Sequence, residues 1–308
     1  MDATFTPPVS VALLAATVQQ NRHHFKEARQ ALRRIVQRDP GNSQAWLTLA
    51  TVAMVQGDLE AANRACVKLA SSGGNFMGTV CTASLRSLSG HNEQAMALLK
   101  LVADPGPKAP PEIQSWLHGL MADVAVRMGD AELAEEHFRQ ALQFTPGDNF
   151  LIADYADFLL EEGRPAAAAR LVRPYTRSDT SFLRLVMAEK MQGLPEAQAD
   201  AGRMQQRFAA MEQRGSHVYR REQAGFVLQV LDKPQQALRL AQQNWQVQRA
   251  PKDVLVYLQA ALAAGDPQAA RPAMDFVQRT GLVDARIAPL MQRLRQQPGQ
   301  SASTGKTP

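Results

Sequence analysis

The chain has 308 residues, 45% of them hydrophobic and 20% charged, which is enough apolar material for a packed core and excludes an intrinsically disordered chain. Only 6% are aromatic, Ala, Leu, Gln and Arg abound, and β-branched runs are scarce, so helices are favoured throughout. The net charge of +5 admits an acidic partner but fits a solvated Arg- and Gln-rich helical surface better, and no apolar run approaches the ~20 residues of a membrane span, so membrane insertion is not expected.

Residues 1–8 read as an N-terminal extension. The segment "VSVALLAATV" (Val9 to Val18) has the apolar character of a secretory signal core, but Met1-Asp2 supply no basic stretch before it and it runs smoothly into a helical pattern. It is therefore read as the first helix; a misassigned start at Met1 would have removed an export signal upstream. Further on, "MVQGDLEAA" (54–62) joins an apolar end, a Gly-Asp corner and an acidic, alanine-rich beginning. Near copies follow as "RMGDAELA", "EEGRPAAAA", "MQGLPEAQA", "VLDKPQQA" and "AAGDPQAA".

Aligned on the Gly and on the Ala five positions later, the phrases recur about every 34 residues. Each is read as the corner of a helix-turn-helix unit, with the Gly ending the first helix and the Asp capping the second. Units one to three span 9–106, anchored by Ala28 and Pro40, by Gly57 and Ala62, and by Gly90 and Ala95. A Pro-rich spacer at 107–114, overlapping "DPGPKAPP" (Asp104 to Pro111), precedes units four to eight at 115–282 and is the candidate hinge. These later units are anchored by Gly129 and Ala134, Gly163 and Ala168, Gly193, Ala237, and Gly265 with Ala270. Pro165, Pro195, Pro234 and Pro267 stand two residues past the corner and are expected in the first turn of second helices. Pro174 and Pro272 fall within second helices and are expected to kink or shorten them. Residues 283–297 read as a capping helix and 298–308 as a disordered tail.

The stretch "AWLTLATVAMVQGDLEAANRAC", with Trp46, Leu49, Ala50, Gly57, Asp58 and Ala62, resembles a tetratricopeptide (TPR) unit. A second match is "GLMADVAVRMGDAELAEEHFRQALQFTPGD", with Met121, Ala122, Gly129, Asp130, Ala134, Phe138, Ala141 and Pro146 in register. The expected fold is an all-α superhelical solenoid of about eight such units, because one pair cannot bury its own apolar face. Small residues at Ala50, Ala62, Ala122 and Ala134 are expected where paired helices cross.

The resemblance implies a non-enzymatic scaffold or adaptor whose first helices line a concave groove for a peptide or partner helix. Carried onto matching positions, that groove is expected to show Leu47, Thr51, Met54, Trp116, Asp123, Val126, Arg127, Phe150, Asp157, Leu160 and Glu161. Leu183, Met187, Lys190, Tyr219, Glu222 and Phe226 continue it. The carboxylate clamp of chaperone-binding relatives uses Lys and Asn, whereas the corresponding positions here are Leu13, Thr17, Leu47 and Thr51. The chain also resembles a group of proteobacterial TPR proteins through "AWLTLATV", "QGDLEAA", "DYADFLLEEGRP" and "NWQVQRAPKDVLVYLQAALAAGDPQAA", and members of that group are often exported.

No catalytic, metal or cofactor motif emerges. His23, His24, His91, His118, His137 and His217 show no metal-ligand spacing, and neither "SGGN" nor "STGKTP" has the strand-to-helix context of a phosphate loop. Cys66 and Cys81 fall on helices expected to pack together, and two readings stand open: buried free thiols, or a disulfide clamping units two and three. A disulfide favours a periplasmic or exported location over the cytoplasm. The alternative function is nucleic-acid binding through Arg29, Arg33, Arg34 and Arg38, or through Arg203, Arg207, Arg214, Arg220 and Arg221, if these stripes share a face.

Overall fold

A computed structural model of the protein describes residues 7–103, 109–216 and 218–297. Among them the chain forms seventeen α-helices and one short 3-10 turn, with no strand. The helices run in pairs: α1 (Val9–Asn21) with α2 (Phe25–Arg38), α3 (Ser43–Val55) with α4 (Leu59–Ser71), α5 (Asn75–Leu88) with α6 (Asn92–Ala103), and α7 (Pro111–Met128) with α8 (Ala131–Phe144). Then follow α9 (Asn149–Glu161) with α10 (Pro165–Val172), α11 (Asp179–Gln192) with α12 (Ala197–Gln213), α13 (Arg220–Gln229) with α14 (Pro234–Trp245), and α15 (Pro251–Ala263) with α16 (Arg271–Thr280). A last helix, α17 (Ile287–Gln296), buries Ile287, Met291 and Leu294 and packs on α15. The architecture is an all-α helical repeat solenoid.

The corners show why the phrase repeats. Gly57, Gly90, Gly129, Gly163, Gly193 and Gly265 all take the left-handed conformation, with φ between 64° and 82°, which ends the first helix and reverses the chain. In the first and seventh corners His23 (φ 59°) and Asp232 (φ 53°) adopt the same conformation without being glycine. Asp58 and Asp130 then accept the N–H of Ala61 and Leu133 at 3.0 Å, satisfying an orphan donor of each second helix.

The prolines divide by position. Pro165 and Pro234 occupy the first turn of α10 and α14, where a missing N–H costs nothing. Pro195 and Pro267 instead stand in turns ahead of α12 and α16, which begin only at Ala197 and Arg271. Pro174 shortens α10, and the chain continues as the 3-10 turn Arg173–Tyr175. Pro272 departs from expectation: it lies at the start of α16 rather than within it, and so kinks nothing. Pro110 and Pro111, read above as spacer, cap and open α7. Residues 104–108 of the spacer segment, the tail 298–308, and 1–6 of the N-terminal extension lie outside the described residues.

Ala50, Ala62, Ala122 and Ala134 are fully buried, so the paired backbones can approach there. Phe138 bridges units four and five, stacking on Tyr155 at 5.1 Å and meeting Phe158 at 5.6 Å. Cys66 of α4 and Cys81 of α5 form a disulfide with their Cα atoms 5.5 Å apart, both side chains buried.

The superhelix closes on itself. Arg249, before α15, donates its backbone N–H to the carbonyl of Val55, the last residue of α3, at 2.8 Å. The segment between α16 and α17 then runs across the corners of units three and four: Asn92 donates to the Val283 carbonyl at 3.0 Å and Ala285 N–H to the Arg127 carbonyl at 2.9 Å. Carbonyls at the ends of α3 and α7, left without helical partners, are thus satisfied by backbone from the far end of the chain. This closure places α7, α9, α11, α13 and α15 around one inner cleft.

Candidate functional site

Three cavities on the inner face share lining residues and form one trough. The first, about 280 Å³, lies between α7 and α9 and is walled by Trp116, Gly119, Leu120, Phe150 and Leu151. Its other lining side chains include the carboxylates of Glu112, Asp123, Asp148 and Asp154, and no Lys or Arg. A constriction of about 20 Å³ follows, where Lys252 and Arg286 meet Asp123, Asp154, Asp157 and Glu161. Beyond it a chamber of about 240 Å³ is walled by Leu160, Leu183, Met187, Met191, Leu255 and Val256. Its charged groups are balanced: Asp157, Glu161 and Glu222 against Arg184, Arg221 and Lys252.

The charges at the floor are held by one another. Arg184 of α11 reaches back to Asp157 of α9 with two parallel bonds, Nε at 2.7 Å and an Nη at 2.8 Å. Lys252 Nζ, at the start of α15, bridges Asp154 at 2.6 Å and Asp157 at 3.1 Å. Burial opposes ionisation of Asp157, but Arg184 and Lys252 outweigh it and hold the carboxyl far below its usual range. Arg286 pairs with Glu161 at 2.9 Å and with the buried Asp284 at 2.7 Å. Burial still raises the Glu161 pKa against the pull of Arg286. Arg221 lies between Glu222 and Asp253, the latter also bonded by Asn244 at 2.8 Å.

The expected groove residues separate accordingly. Trp116, Asp123 and Phe150 meet in the first chamber; Asp157, Leu160, Glu161, Leu183, Met187 and Glu222 meet in the second; Val126 stands at the constriction. Arg127 is buried against Asp123 at 2.6 Å and Ser87 at 2.8 Å, so its charge belongs to the framework. Phe226 is 1% exposed and packs on Phe208 at 5.5 Å, which corrects its placement on an open groove. Tyr219 packs on the main core, and Lys190 points to an exposed edge, pairing with Asp232 at 3.0 Å. Leu47 and Met54 pack on the cluster around the disulfide and Thr51 bonds back to the Leu47 carbonyl at 3.0 Å; none lines the trough.

Sequence reasoning missed Arg184, Lys252 and Arg286. Arg184 follows Asp157 by 27 residues, one repeat less two helical turns, a spacing that was there to be read. Lys252 stands 95 residues after Asp157 and Arg286 stands 125 after Glu161, pairings that only the closure of the superhelix creates. The basic stripes are dispersed: Arg29 bonds Asp58 at 2.7 Å, Arg203 is held by Asp200, Arg207 bonds Asp179 at 2.8 Å over the Phe182 ring, and Arg221 is in the trough floor. Among the described residues no helix is long and apolar enough to cross a membrane.

A tetratricopeptide repeat family model matches residues 21–72, which carry α2, α3 and α4. A search of curated proteins finds no match. Among solved structures, PilW, described as a widely conserved type IV pilus biogenesis factor, overlays with a TM-score of 0.51 at 15% identity, covering 67% of this chain and 96% of its own. PilF of Pseudomonas aeruginosa overlays at 0.47 and 17% identity, covering 65% of this chain and 92% of its own. A tetratricopeptide repeat protein from Parabacteroides merdae gives 0.41 and 13%, covering 93% and 98%. With the tetratricopeptide repeat model seated on the second corner, and corners of the same build recurring in helix pairs along the described chain, the chain is an all-α helical repeat protein that matches a tetratricopeptide repeat over residues 21–72.

Proposed function

We propose that the chain is a non-enzymatic protein-interaction scaffold whose inner trough takes an extended peptide or partner helix. The observation that carries this reading is the first chamber: Phe150 is 82% exposed and Trp116 is 37% exposed around a cavity rimmed by four carboxylates. Large aromatic side chains left open to water in a concave site are the kind of anchor that binding surfaces use. The carboxylate rim favours a segment that presents an apolar or aromatic side chain beside Lys or Arg. The charged floor beyond it is already internally paired and serves to keep the two chambers apart. The Cys66–Cys81 bond supports an oxidising, exported location.

The test is an array of short peptides pairing an aromatic residue with Lys or Arg, probed with the wild type and with a Trp116→Ala/Phe150→Ala variant, both verified by far-UV circular dichroism and melting. Retained peptides should bind the variant at least about tenfold more weakly, the size of one lost aromatic anchor. Equal retention by a folded variant would remove the trough from the binding surface. Nucleic acid has less support, since the trough rim is acidic and Arg203 and Arg207 are engaged with Asp200 and Asp179.

A further inference from the structure

On the outer side of the solenoid, the second helices α2 and α4 flank a groove of about 520 Å³ whose floor is α3. The floor is apolar: Trp46, Leu49 and Ala53 follow one another at i, i+3 and i+7, one face of a helix over about 10 Å. Trp46 is held in place by its Nε1–H, which donates to the Pro40 carbonyl at 2.9 Å and leaves the indole ring available to the groove. Val67, on the α4 bank, is 59% exposed.

Each bank carries two cations one helical turn apart, Arg29 and Arg33 on α2, Arg64 and Lys68 on α4, and no carboxylate lines the groove among the described residues. Arg29 is fixed by Asp58 at 2.7 Å and by Gln56 at 3.1 Å, and Arg64 pairs with Glu60 on its own helix. Arg33 and Lys68, both exposed, have no acidic partner among the described residues. The groove therefore offers an apolar strip bordered on both sides by unneutralised positive charge.

We infer that this outer groove docks an acidic amphipathic helix, one whose apolar stripe at i, i+3, i+7 spacing is flanked on both sides by Asp or Glu. The two halves of the pattern require each other. Apolar side chains would dehydrate Trp46, Leu49 and Val67, which phosphate groups cannot do, and flanking carboxylates would meet Arg33 and Lys68. A nucleic-acid backbone satisfies the cations and leaves the strip wet. This surface is separate from the trough, with opposite charge, so a single chain can hold a basic segment inside and an acidic helix outside.

The probe is a short labelled helical peptide with leucines at i, i+3 and i+7 and glutamates on both flanks, compared with its lysine counterpart and with a single-stranded oligonucleotide, by fluorescence anisotropy on the full chain. The acidic peptide should bind at least about tenfold more tightly than the lysine peptide, and Arg33→Glu/Lys68→Glu should weaken it by about tenfold, the size of two exposed ion pairs turned to repulsion. Val67→Ser, at an exposed position, should also weaken the peptide, and Phe150→Ala in the trough should leave it unchanged. Equal affinity for both peptides, indifference to Arg33→Glu/Lys68→Glu in a protein with unaltered circular dichroism, or tighter binding of the oligonucleotide that is insensitive to Val67→Ser would each overturn the assignment.

Discussion

Glu189 offers a test of the packing between α11 and α12. Its side chain is 3% exposed with one carboxylate oxygen unpartnered, and it faces the buried Asp200, whose Oδ1 is taken by Arg203 Nε at 2.8 Å. Burial, followed by the charge of Asp200, pushes the Glu189 carboxyl up to about 7 from 4.5. A carboxyl whose pKa is raised by folding is held neutral more readily in the native state, so it destabilises that state only once the unfolded chain ionises. The penalty is absent below about pH 4.5, grows as pH rises, and is complete above about pH 7. That interval sets a ceiling of about 3 kcal/mol, and because Arg203 already compensates part of the Asp200 charge, about 1–2 kcal/mol is expected in practice. Glu189→Gln removes the ionisation and supplies an amide that can donate to Asp200. Urea unfolding of both proteins, followed by far-UV circular dichroism, should show the variant more stable by that amount at pH 8 and equal to wild type at pH 4.5, with unchanged denaturant slope. A gain of equal size at both pH values, or a loss at pH 8, would refute the reasoning.

The closure of the superhelix predicts a contrast between two corner glycines. A Cβ at Gly163 (φ 68°) meets nothing, so Gly163→Ala should cost about 1 kcal/mol from backbone conformation alone, whereas one at Gly90 (φ 82°) would lie 2.1 Å from the Gly281 carbonyl oxygen and must displace the segment before α17. Gly90→Ala should therefore lower the melting temperature further and raise hydrogen exchange at 281–287; equal effects of the two substitutions would argue against the closed form. Cys66 and Cys81 are separated by 15 residues, so Cys66→Ser/Cys81→Ser should cost about 3 kcal/mol in chemical denaturation, with faster exchange concentrated in α4 and α5. A loss under about 1 kcal/mol, or one spread evenly along the solenoid, would count against that bond as the clamp between units two and three.

The repeated corner was legible in the residues because its causes are local. A left-handed glycine, an Asp bonding a nearby N–H and an Ala at the crossing each act within one helix pair, so "QGDLEAA" carries its own geometry. Even the exceptions follow from neighbours within a turn: Pro272 opens α16 because the turn after Asp266 delays the helix to Arg271. The placement of Trp116 and Phe150 in the groove came instead from the resemblance to TPR units, and both line the first chamber.

Where local period fails is in the accumulation of small rotations from unit to unit. Whether Phe226 faces a groove or Phe208, and whether Asp157 meets water or Lys252 from 95 residues on, depends on the sum of several interhelical angles, and no single corner encodes that sum. The amino-acid sequence by itself determined a solenoid of helix pairs and the residue types at its crossings. Only the tertiary structure decided that the solenoid closes, dividing its inner face into an acidic aromatic chamber and a paired-charge chamber, because long-range ion pairs form only after the superhelix has brought its ends together.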